Sequence, residues 1–338
     1  MSAFTILEEY RSKYESLVNW FMYSELAVGA PEDLYRAAFH LIKAGGKRFR
    51  PMIVLSTARM LGGEQAETRA LPLASAVEIL HNFTLIHDDI MDDDDFRRGV
   101  PTTHKIWGVP FAILAGDLDY ALAYKSLLMS KKYGLQQERI LRAVVILTEA
   151  TIKVSQGQAY DMRFEKEQNV DYNDYLEMIY LKTGALIEAS AKLGAVAAVD
   201  EPSLIEKLGD YGKFVGIAFQ IRDDILGIYG DPSKTGKPVY SDLKRSKKTL
   251  LLLYSYQHAD GRDKELLEKI LKRQKLSEEE YAEAADIIKR TGAYEYAQSL
   301  ATKLAENAVR ILNDITAVDE KAKEALRELA EFSVKREK

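Results

Sequence analysis

Apolar residues recur about every 3.6 positions along almost the whole chain, and this periodicity predicts a protein built of helices. Only eight prolines occur among the 338 residues, and they lie mainly at the borders of the periodic stretches. No stretch alternates apolar and polar residues convincingly, as a half-buried strand would. The apolar fraction of 47% is ample for a core, and no linker or repeat marks a second domain. We therefore expect one all-α domain over residues 1–338.

The borders of the periodic stretches divide the chain into a series of predicted helices. These helices are expected near residues 4–25, 31–43, 50–61, 70–92, 110–132, 136–162, 172–199, 202–229, 240–258, 262–272, 276–290, 293–314 and 317–335. Gly45-Gly46 and Gly62-Gly63 follow helical runs, where left-handed C-terminal caps would place them. Segments 93–109 and 230–239 each follow an acidic motif, and both are candidate loops that cover a substrate.

Composition excludes several classes of function. The net charge of −5 argues against general affinity for nucleic acid. The absence of cysteine removes disulfides, thiol nucleophiles and thiolate metal sites. The five histidines do not show the spacing of a His-Glu-x-x-His metal motif. No secretory signal is visible and no apolar stretch is long enough to span a bilayer, so a cytoplasmic protein is expected.

Two acidic motifs lie far apart in the chain, each within an apolar helical stretch. The first contains Asp88, Asp89 and Asp92, and the second contains Asp223 and Asp224. On a helix, Asp88 and Asp92 lie one turn apart on the same face, and carboxylates at that spacing repel one another. They therefore need cations, and Mg²⁺ is the leading candidate because it prefers carboxylate oxygens and leaves positions for phosphates. The sequence predicts metal-bridged diphosphate between two facing helices.

Basic residues accompany both acidic motifs. Lys47, Arg48 and Arg50 lie near a predicted helix N-terminus, which favours anions. The segment Lys182-Thr183-Gly184 interrupts an apolar helix with a cation and with a glycine that can allow a kink. The remaining cations near the motifs are Arg97, Arg98, Lys237, Lys247 and Lys248. Metal-binding carboxylates surrounded by fixed cations suit two diphosphates that must be held together against their mutual repulsion.

Five segments occur in a fixed order, namely GGKRFRP, LIHDDIMDDDDFRRG, KTG, FQIRDDILG and GKP. In this order they resemble the trans-isoprenyl diphosphate synthases of the polyprenyl synthetase family, in particular archaeal-type geranylgeranyl diphosphate synthases. The resemblance runs from about residue 30 to about residue 255. It implies a single-domain, isoprenoid synthase-type helical bundle around a deep central cavity, usually present as a homodimer. Such enzymes use Mg²⁺ to condense isopentenyl diphosphate with an allylic diphosphate, head to tail.

The resemblance also implies roles for individual residues. About three Mg²⁺ ions per active site would be bound by Asp88, Asp89, Asp92, Asp223 and Asp224. Isopentenyl diphosphate would be held by Lys47, Arg50, His81 and Arg98. The allylic diphosphate would be held by Arg97, Lys182, Thr183, Gln220, Lys237 and Lys247. The residues expected to act in catalysis are Asp88, Asp92, Arg97, Lys182, Thr183, Gln220, Asp223 and Lys237. Gln158 and Asp161 also fall in a motif of this family.

The implied mechanism is ionisation of the allylic diphosphate, attack by the isopentenyl double bond, and loss of a proton. Metal ions and fixed cations would stabilise the charge of the departing diphosphate. Members of the family often carry a third aspartate at the position of Gly227, whereas here the next aspartate is Asp231. This departure weakens the expectation that the second motif holds its metal ion through three carboxylates.

Product length is predicted from the residues before the first motif. In the family, the residues four and five positions before the motif set the length, and here they are Thr84 and Phe83. This pair resembles archaeal C20 synthases. On a helix, Phe83 lies about 7.5 Å from Asp88 along the axis, where its ring could limit the growing chain. Geranylgeranyl diphosphate is therefore the expected main product from dimethylallyl, geranyl or farnesyl diphosphate, while C15 and C25 products remain open.

Two other functions share parts of this pattern. A terpene cyclase has the same helical fold and Mg²⁺ chemistry, but it has no need of Lys47, Arg50 and Arg98 for isopentenyl diphosphate. A regulatory subunit of a heteromeric synthase typically loses aspartates from the motifs, whereas both pairs are intact here. The residues therefore favour a catalytic prenyltransferase over either alternative.

Overall fold

The computed structural model describes residues 4–167, 169–232 and 239–336. Its backbone contacts divide the chain into two compact units. The first unit comprises Met1–Glu149, Ala189–Gly209 and Ile315–Glu328, and the second comprises Ala150–Glu188, Asp210–Asp314 and Leu329–Lys338. Helices dominate both units, so the all-α prediction is confirmed. The single domain over residues 1–338 and the central cavity stay predictions.

The first part of the chain is helical apart from one small hairpin. Its helices are α1 (Thr5–Glu25), α2 (Glu32–Ala38), α3 (His40–Lys43), α4 (Phe49–Met91), α5 (Thr103–Trp107) and α6 (Val109–Met129), followed by a 3₁₀ turn at Ser130–Tyr133. Between α4 and α5, strands β1 (Phe96–Arg97) and β2 (Val100–Pro101) pair antiparallel. The segment 93–109, predicted as a loop, therefore contains a hairpin and a short helix.

The rest of the chain continues with helices of both units. They are α7 (Gln137–Phe164), α8 (Tyr172–Ile179), α9 (Ala185–Ala198), α10 (Pro202–Tyr229), α11 (Ser241–Lys244), α12 (Leu250–His258), α13 (Gly261–Leu271), α14 (Glu278–Arg290), α15 (Ala293–Asn313) and α16 (Glu320–Lys335). A π-helix at Tyr180–Gly184 separates α8 from α9. Helices α7, α9, α10 and α16 contribute residues to both units.

The long helix α4 contains the break expected at Gly62-Gly63, but as a kink between two helical runs rather than as a loop. Gly63 has φ 64° and ψ −156°, after which the helix resumes. A Cβ atom at Gly62 would lie 2.7 Å from the Cβ of Ala66 and 3.2 Å from the Cβ of Ala198 in α9. Gly62 therefore serves the close packing of α4 against α9.

Gly45 and Gly46 follow α3 with positive φ of 106° and 146°, and the amide of Gly45 donates to the carbonyl of Ile42 at 3.1 Å, as in a helix C-terminal cap. Two predicted helices need correction. The helix predicted over 31–43 is divided at Phe39, and the one predicted over 240–258 is interrupted between α11 and α12. Most of the predicted loop 230–239 lies outside the described residues.

Core packing in the second unit fixes the orientation of α10. Ile221, Ile225 and Ile228 are buried in one apolar cluster with Leu250 and Leu251 of α12. This spacing marks one face of a helix, so its burial sets the rotation of α10 about its axis and thereby the position of the second acidic motif. Within the described part of the chain, no helix combines the length and the apolarity needed to cross a membrane.

Candidate active site

The first acidic motif lies at the C-terminal end of α4 and is held by one arginine. Asp89 is buried, and Arg97 in β1 donates a short hydrogen bond from Nε to its Oδ1. The NH2 of Arg97 lies 3.9 Å from Oδ2 of Asp88 and 3.6 Å from Oδ2 of Asp94. Asp92 is exposed at the helix end, where its amide donates to the carbonyl of Asp88 at 2.9 Å. The β1–β2 hairpin thus places Arg97 against Asp88 and Asp89, which precede the hairpin in the chain.

Asp89 has the properties expected of a metal-binding carboxylate. Burial raises the pKa of Asp89 to about 6, although Arg97 opposes the shift. Its Oδ2 is buried and has no hydrogen-bond partner among the described residues. Among the described residues, no group of three or more acidic or histidine side chains could hold a metal ion. Mg²⁺ usually takes one or two carboxylates and completes its shell with water and phosphates, so the arrangement fits an ion shared with a diphosphate.

Arg48 has a structural role that the sequence did not separate from that of its neighbours. It precedes α4 with φ 51° and is buried. Its NH1 donates to Oε1 of Glu78 at 2.7 Å, and its NH2 donates to the carbonyl of Ile42 at 2.7 Å. This buried pair attaches the segment before α4 to the middle of that helix. Glu78 was not among the predicted residues.

Arg50, Arg98 and His81 form a positively charged cluster in the first unit. Arg98 donates from NH1 to the carbonyl of Leu41 at 2.8 Å and also to that of Gly45. Burial lowers the pKa of Arg50 to about 10, and its Nε is buried with no partner among the described residues. Burial and then the charges of Arg50 and Arg98 lower the pKa of His81 well below its ordinary value. The imidazole is therefore neutral near pH 7, beside cations that an anion would stabilise.

Lys47 lies at the edge of this cluster. Its side chain is exposed, and Nζ lies 5.9 Å from the centre of the Phe49 ring. A Cβ atom at Gly46 would lie 3.0 Å from the guanidinium carbon of Arg98. The glycine therefore allows Arg98 to approach the backbone of this segment.

In the second unit, the second acidic motif is centred on Asp224, which is fully buried and accepts hydrogen bonds from several side chains. Gln220 donates from Nε2 and Lys247 from Nζ to Oδ1, both at 3.2 Å. Tyr175 of α8 donates a short hydrogen bond to Oδ2. Thr183 in turn donates from Oγ1 to Oε1 of Gln220 at 3.1 Å. The structure therefore brings together four predicted residues and adds Tyr175.

Lys247, rather than Lys248, faces the second acidic motif. Burial alone would lower the pKa of Lys247, but the carboxylates of Asp224 and Asp242 raise it above its ordinary value. Lys248 instead donates from Nζ to the backbone carbonyl of Glu167. The predicted Lys237 lies outside the described residues.

The π-helix positions Lys182 and replaces the predicted kink at Lys182-Thr183-Gly184. The Nζ of Lys182 donates to Oδ2 of Asp161 at 2.6 Å. A Cβ atom at Gly157 would lie 2.3 Å from the amide nitrogen of Lys182 and 2.6 Å from its Cα. The backbone of α7 at Gly157 therefore packs directly against the backbone of the π-helix at Lys182. Asp161 lies one turn further along α7, where its carboxylate accepts the hydrogen bond from Lys182. Gln158 lies half-buried in the same turn.

Asp223 has a partner that no sequence motif indicated. Its Oδ1 accepts a hydrogen bond of 2.7 Å from NH2 of Arg336, near the end of the chain. Gly227 faces Asp242: a Cβ atom there would lie 2.2 Å from Oδ2 of Asp242, so the third aspartate of the family pattern would require the Asp242 side chain to move. The carboxylate of Asp242 therefore fills the space beside Gly227, whereas Asp231 is exposed.

Phe83 is half-buried, and its ring contacts both α4 and α6. The ring centre lies 4.7 Å from that of His87 and 5.5 Å from that of Tyr120, both in edge-to-face geometry. Thr84 donates from Oγ1 to the carbonyl of His81 at 2.7 Å, which turns its hydroxyl toward the backbone of its own helix. Tyr120, absent from the predicted residues, is thus the side chain of α6 that meets Phe83.

The chain is similar to proteins of a known family and to solved structures. A model of the polyprenyl synthetase family matches residues 31–288. A geranylfarnesyl diphosphate synthase from Aeropyrum pernix is 53% identical over 308 residues, which cover 91% of this chain and 96% of that protein. The crystal structure of a geranylgeranyl pyrophosphate synthetase from Pyrococcus horikoshii is 38% identical, with a TM-score of 0.89 and 98% of both chains covered. That of a polyprenyl synthase from Caulobacter crescentus, complexed with calcium and isoprenyl diphosphate, is 30% identical, with a TM-score of 0.86 over 100% of both chains.

The fold is the all-α fold of the polyprenyl synthases. The chain belongs to the polyprenyl synthetase family. It is a short-chain trans-prenyltransferase of that family.

Proposed function

We propose that the protein condenses isopentenyl diphosphate with dimethylallyl, geranyl and farnesyl diphosphates and that geranylgeranyl diphosphate is its main product. The observation that carries this proposal is the cluster of Arg50, Arg98 and His81. Arg50 has a buried Nε without a partner among the described residues, and burial together with the nearby guanidinium groups lowers the pKa of His81 and keeps it neutral. Such a cluster is stabilised by an anion, and a terpene cyclase has no need of a second diphosphate site.

Magnesium is the proposed metal, at about three ions per active site, because carboxylate oxygens and phosphates are its preferred ligands. Asp88, Asp89 and Asp92 would hold two of the ions, and Asp223 with Asp224 would hold the third. Support comes from the buried, unpaired Oδ2 of Asp89 and from the calcium in the Caulobacter relative. When bound, the ions supply Lewis-acid stabilisation of the departing diphosphate.

The chain's own residues prepare the allylic diphosphate site. Arg97 and Lys182 are the proposed contacts of the diphosphate, and they are held in place by Asp89 and Asp161. Gln220 is oriented by its hydrogen bond to Asp224 and by the hydroxyl of Thr183. Fixed cations and dipoles of this kind stabilise developing charge without reorganising during the reaction.

The proposed product length depends on Phe83. Its ring lies against Tyr120, so two aromatic rings from α4 and α6 would close the space that the growing chain enters. The relatives named above include a geranylfarnesyl and a geranylgeranyl synthase, so the C25 product is the specific alternative.

We also propose a homodimer. In the first unit, α6 and the start of α7 expose large apolar side chains. They are Val109, Ile113, Leu114, Leu128, Leu141 and Val145. The two helices are neighbours there, since the hydroxyls of Tyr124 and Thr148 lie 3.0 Å apart. Exposed apolar surface of this extent marks an interaction site. Sedimentation equilibrium that shows only monomer at micromolar concentration would contradict the dimer.

The function is tested by incubating the full-length protein with radiolabelled isopentenyl diphosphate and each allylic starter, with Mg²⁺ or with a chelator. We expect elongated prenyl diphosphates only with metal and both substrates. Asp88→Ala should lose most of the turnover. The matched control is Asp95→Ala, since Asp95 is 70% exposed, is bonded to Lys105, and should be dispensable. A cyclised hydrocarbon formed without isopentenyl diphosphate would indicate a cyclase, and no turnover at all would indicate a regulatory subunit.

A further inference from the structure

Arg336, which directly follows α16, lies against the second acidic motif. The side chain of Arg336 is only 5% exposed, and its NH2 donates to Oδ1 of Asp223 at 2.7 Å. The same nitrogen lies 3.3 Å from the carbonyl oxygen of Phe219, and the guanidinium carbon lies 3.7 Å from the centre of the Phe219 ring. Arg222 donates from Nε to the carbonyl of Arg336 at 2.9 Å. All of these contacts come from one motif, so the position of Arg336 is tied to that of Asp223.

A cation is needed at this position for electrostatic reasons. Asp223 and Asp224 are adjacent carboxylates on one apolar helix, and their charges repel. Lys247 forms an ion pair with Asp224, and Arg336 forms an ion pair with Asp223. The first motif shows the same arrangement, in which Arg97 is bonded to Asp89. In each unit, an arginine therefore lies on a carboxylate that we assign to metal binding.

We propose that Arg336 is a positioning residue for the second acidic motif: it neutralises and orients Asp223 until metal and diphosphate bind, and then it yields this carboxylate to the metal. The proposal rests on the proposed role of Asp223 in binding metal. The guanidinium group and a metal ion would repel each other if both stayed on one carboxylate. The two cations therefore compete for the carboxylate of Asp223, so we expect metal binding to lengthen the contact with Arg336 and the contact to oppose metal binding.

The test is a calorimetric titration of the full-length protein with Mg²⁺ in the presence of inorganic pyrophosphate. Arg336→Met removes the charge and keeps an apolar side chain against the Phe219 ring. If Arg336 opposes the metal, the half-saturating Mg²⁺ concentration should fall about fivefold in Arg336→Met, which corresponds to about 1 kcal/mol. Arg336→Lys retains a charge and should give a smaller decrease.

A matched control is available one position earlier. Lys335 carries the same charge at the end of the same helix, its side chain is 61% exposed, and it is bonded to Glu331. Lys335→Met therefore removes one cation without touching Asp223. We expect its half-saturating Mg²⁺ concentration to match that of the wild type, which would exclude a general effect of net charge.

A second measurement needs no variant. Amide hydrogen exchange in residues 329–336 of the wild-type protein should become faster when Mg²⁺ and pyrophosphate are added together, because Arg336 is then released from the motif. Exchange in this segment should stay unchanged with Mg²⁺ chelated. If Arg336→Met does not fold, as judged from its melting curve, this measurement alone decides the question.

The outcomes separate this inference from the proposed function. No binding of Mg²⁺ and pyrophosphate by the wild type would contradict the proposed metal site itself. Normal wild-type binding with an unchanged or higher half-saturating concentration in Arg336→Met would overturn the role of Arg336. A higher value would make Arg336 a contact of the diphosphate, and unchanged exchange at saturating ligand would make it a static anchor of the chain end.

Discussion

Replacing Phe83 by alanine tests how the chain sets product length. The ring is half-buried between His87 and Tyr120, and the residues one turn earlier on α4, Ile79 and Leu80, are fully packed. Loss of the ring should open space below the first acidic motif for an apolar prenyl tail. Because Tyr120 remains, the extension should be limited. We expect Phe83→Ala to lengthen the main product by one or two five-carbon units, and the double variant with Tyr120→Ala to lengthen it further.

The structure also bounds the cost in stability. Truncating a fully packed phenylalanine costs about 3–5 kcal/mol. Phe83 is only half-buried, so less apolar surface returns to water than for a core residue. Its two edge-to-face contacts contribute about 0.5–1.5 kcal/mol each. We therefore expect the free energy of unfolding to fall by about 2 kcal/mol, below the value for a core residue.

Both quantities are measured on one preparation. Reversed-phase chromatography of the dephosphorylated products gives chain length, and urea denaturation gives the free energy of unfolding. Phe83→Leu keeps most of the apolar volume, and it should leave the product close to that of the wild type. An unchanged product in Phe83→Ala, together with a loss of 3–5 kcal/mol, would make Phe83 an ordinary core residue. The residue that limits chain length would then lie elsewhere.

Three further predictions follow from individual contacts. Burial raises the pKa of Asp89 to about 6, so the metal-free folded protein binds a proton at Asp89 more tightly than the unfolded chain does. The free energy of unfolding should therefore fall as the pH rises from about 4 to about 6. In chelator at pH 7.5, Asp89→Asn should therefore be more stable than the wild type by about 1–2 kcal/mol in urea denaturation, and equal stability would contradict the shift. Gly157→Ala should lower the free energy of unfolding by about 1–3 kcal/mol and impair use of the allylic substrate, because the added Cβ would overlap the backbone of Lys182. Ala159→Ser, on the exposed side of α7, should have neither effect. Arg50→Ala should chiefly raise KM for isopentenyl diphosphate and Lys182→Ala that for the allylic substrate, each by the equivalent of about 1.5–3 kcal/mol, and equal effects on both substrates would refute the division of sites.

The fold was predictable where local signals and packing agree. Helix α10 begins and ends where expected, at Pro202 and Tyr229, because proline favours the first helical turn and the apolar period runs unbroken through the helix. The packing role of Gly62 was not predictable, since a glycine that ends a helix and one that packs against a neighbour look alike until the neighbour is known. The start of α12 is marked in the sequence by a helix-capping residue. Thr249 precedes an apolar run, and its hydroxyl accepts from the amide of Leu252 as an N-terminal cap.

The candidate site was likewise predictable only in part: its residues were predicted from the sequence, but their contacts with one another were not. Its acidic and basic residues lie in short motifs, so residue type and spacing were enough to find them. Their pairing was not, because Tyr175 and Arg336 reach the second motif from distant positions through tertiary contacts. Glu78 carried a signal, since a lone carboxylate between Val77 and Ile79 in an apolar helix requires a partner. Its partner, Arg48, is the arginine that the sequence placed with the anion site.

The observed pairings have a consequence for the order in which ligands bind. The proposed diphosphate contacts Arg97 and Lys182 are bonded to the carboxylates of Asp89 and Asp161. A diphosphate alone would compete with these carboxylates and leave them unpaired, and a metal ion alone would compete with the cations. Leaving a half-buried charge without a partner is costly, so neither exchange is favourable by itself. When metal and diphosphate arrive together, Arg97 transfers to phosphate and Asp89 to the metal, so both of these charges stay paired. Metal and pyrophosphate should therefore raise each other's affinity by the same factor, and affinities that are independent of each other would contradict the exchange.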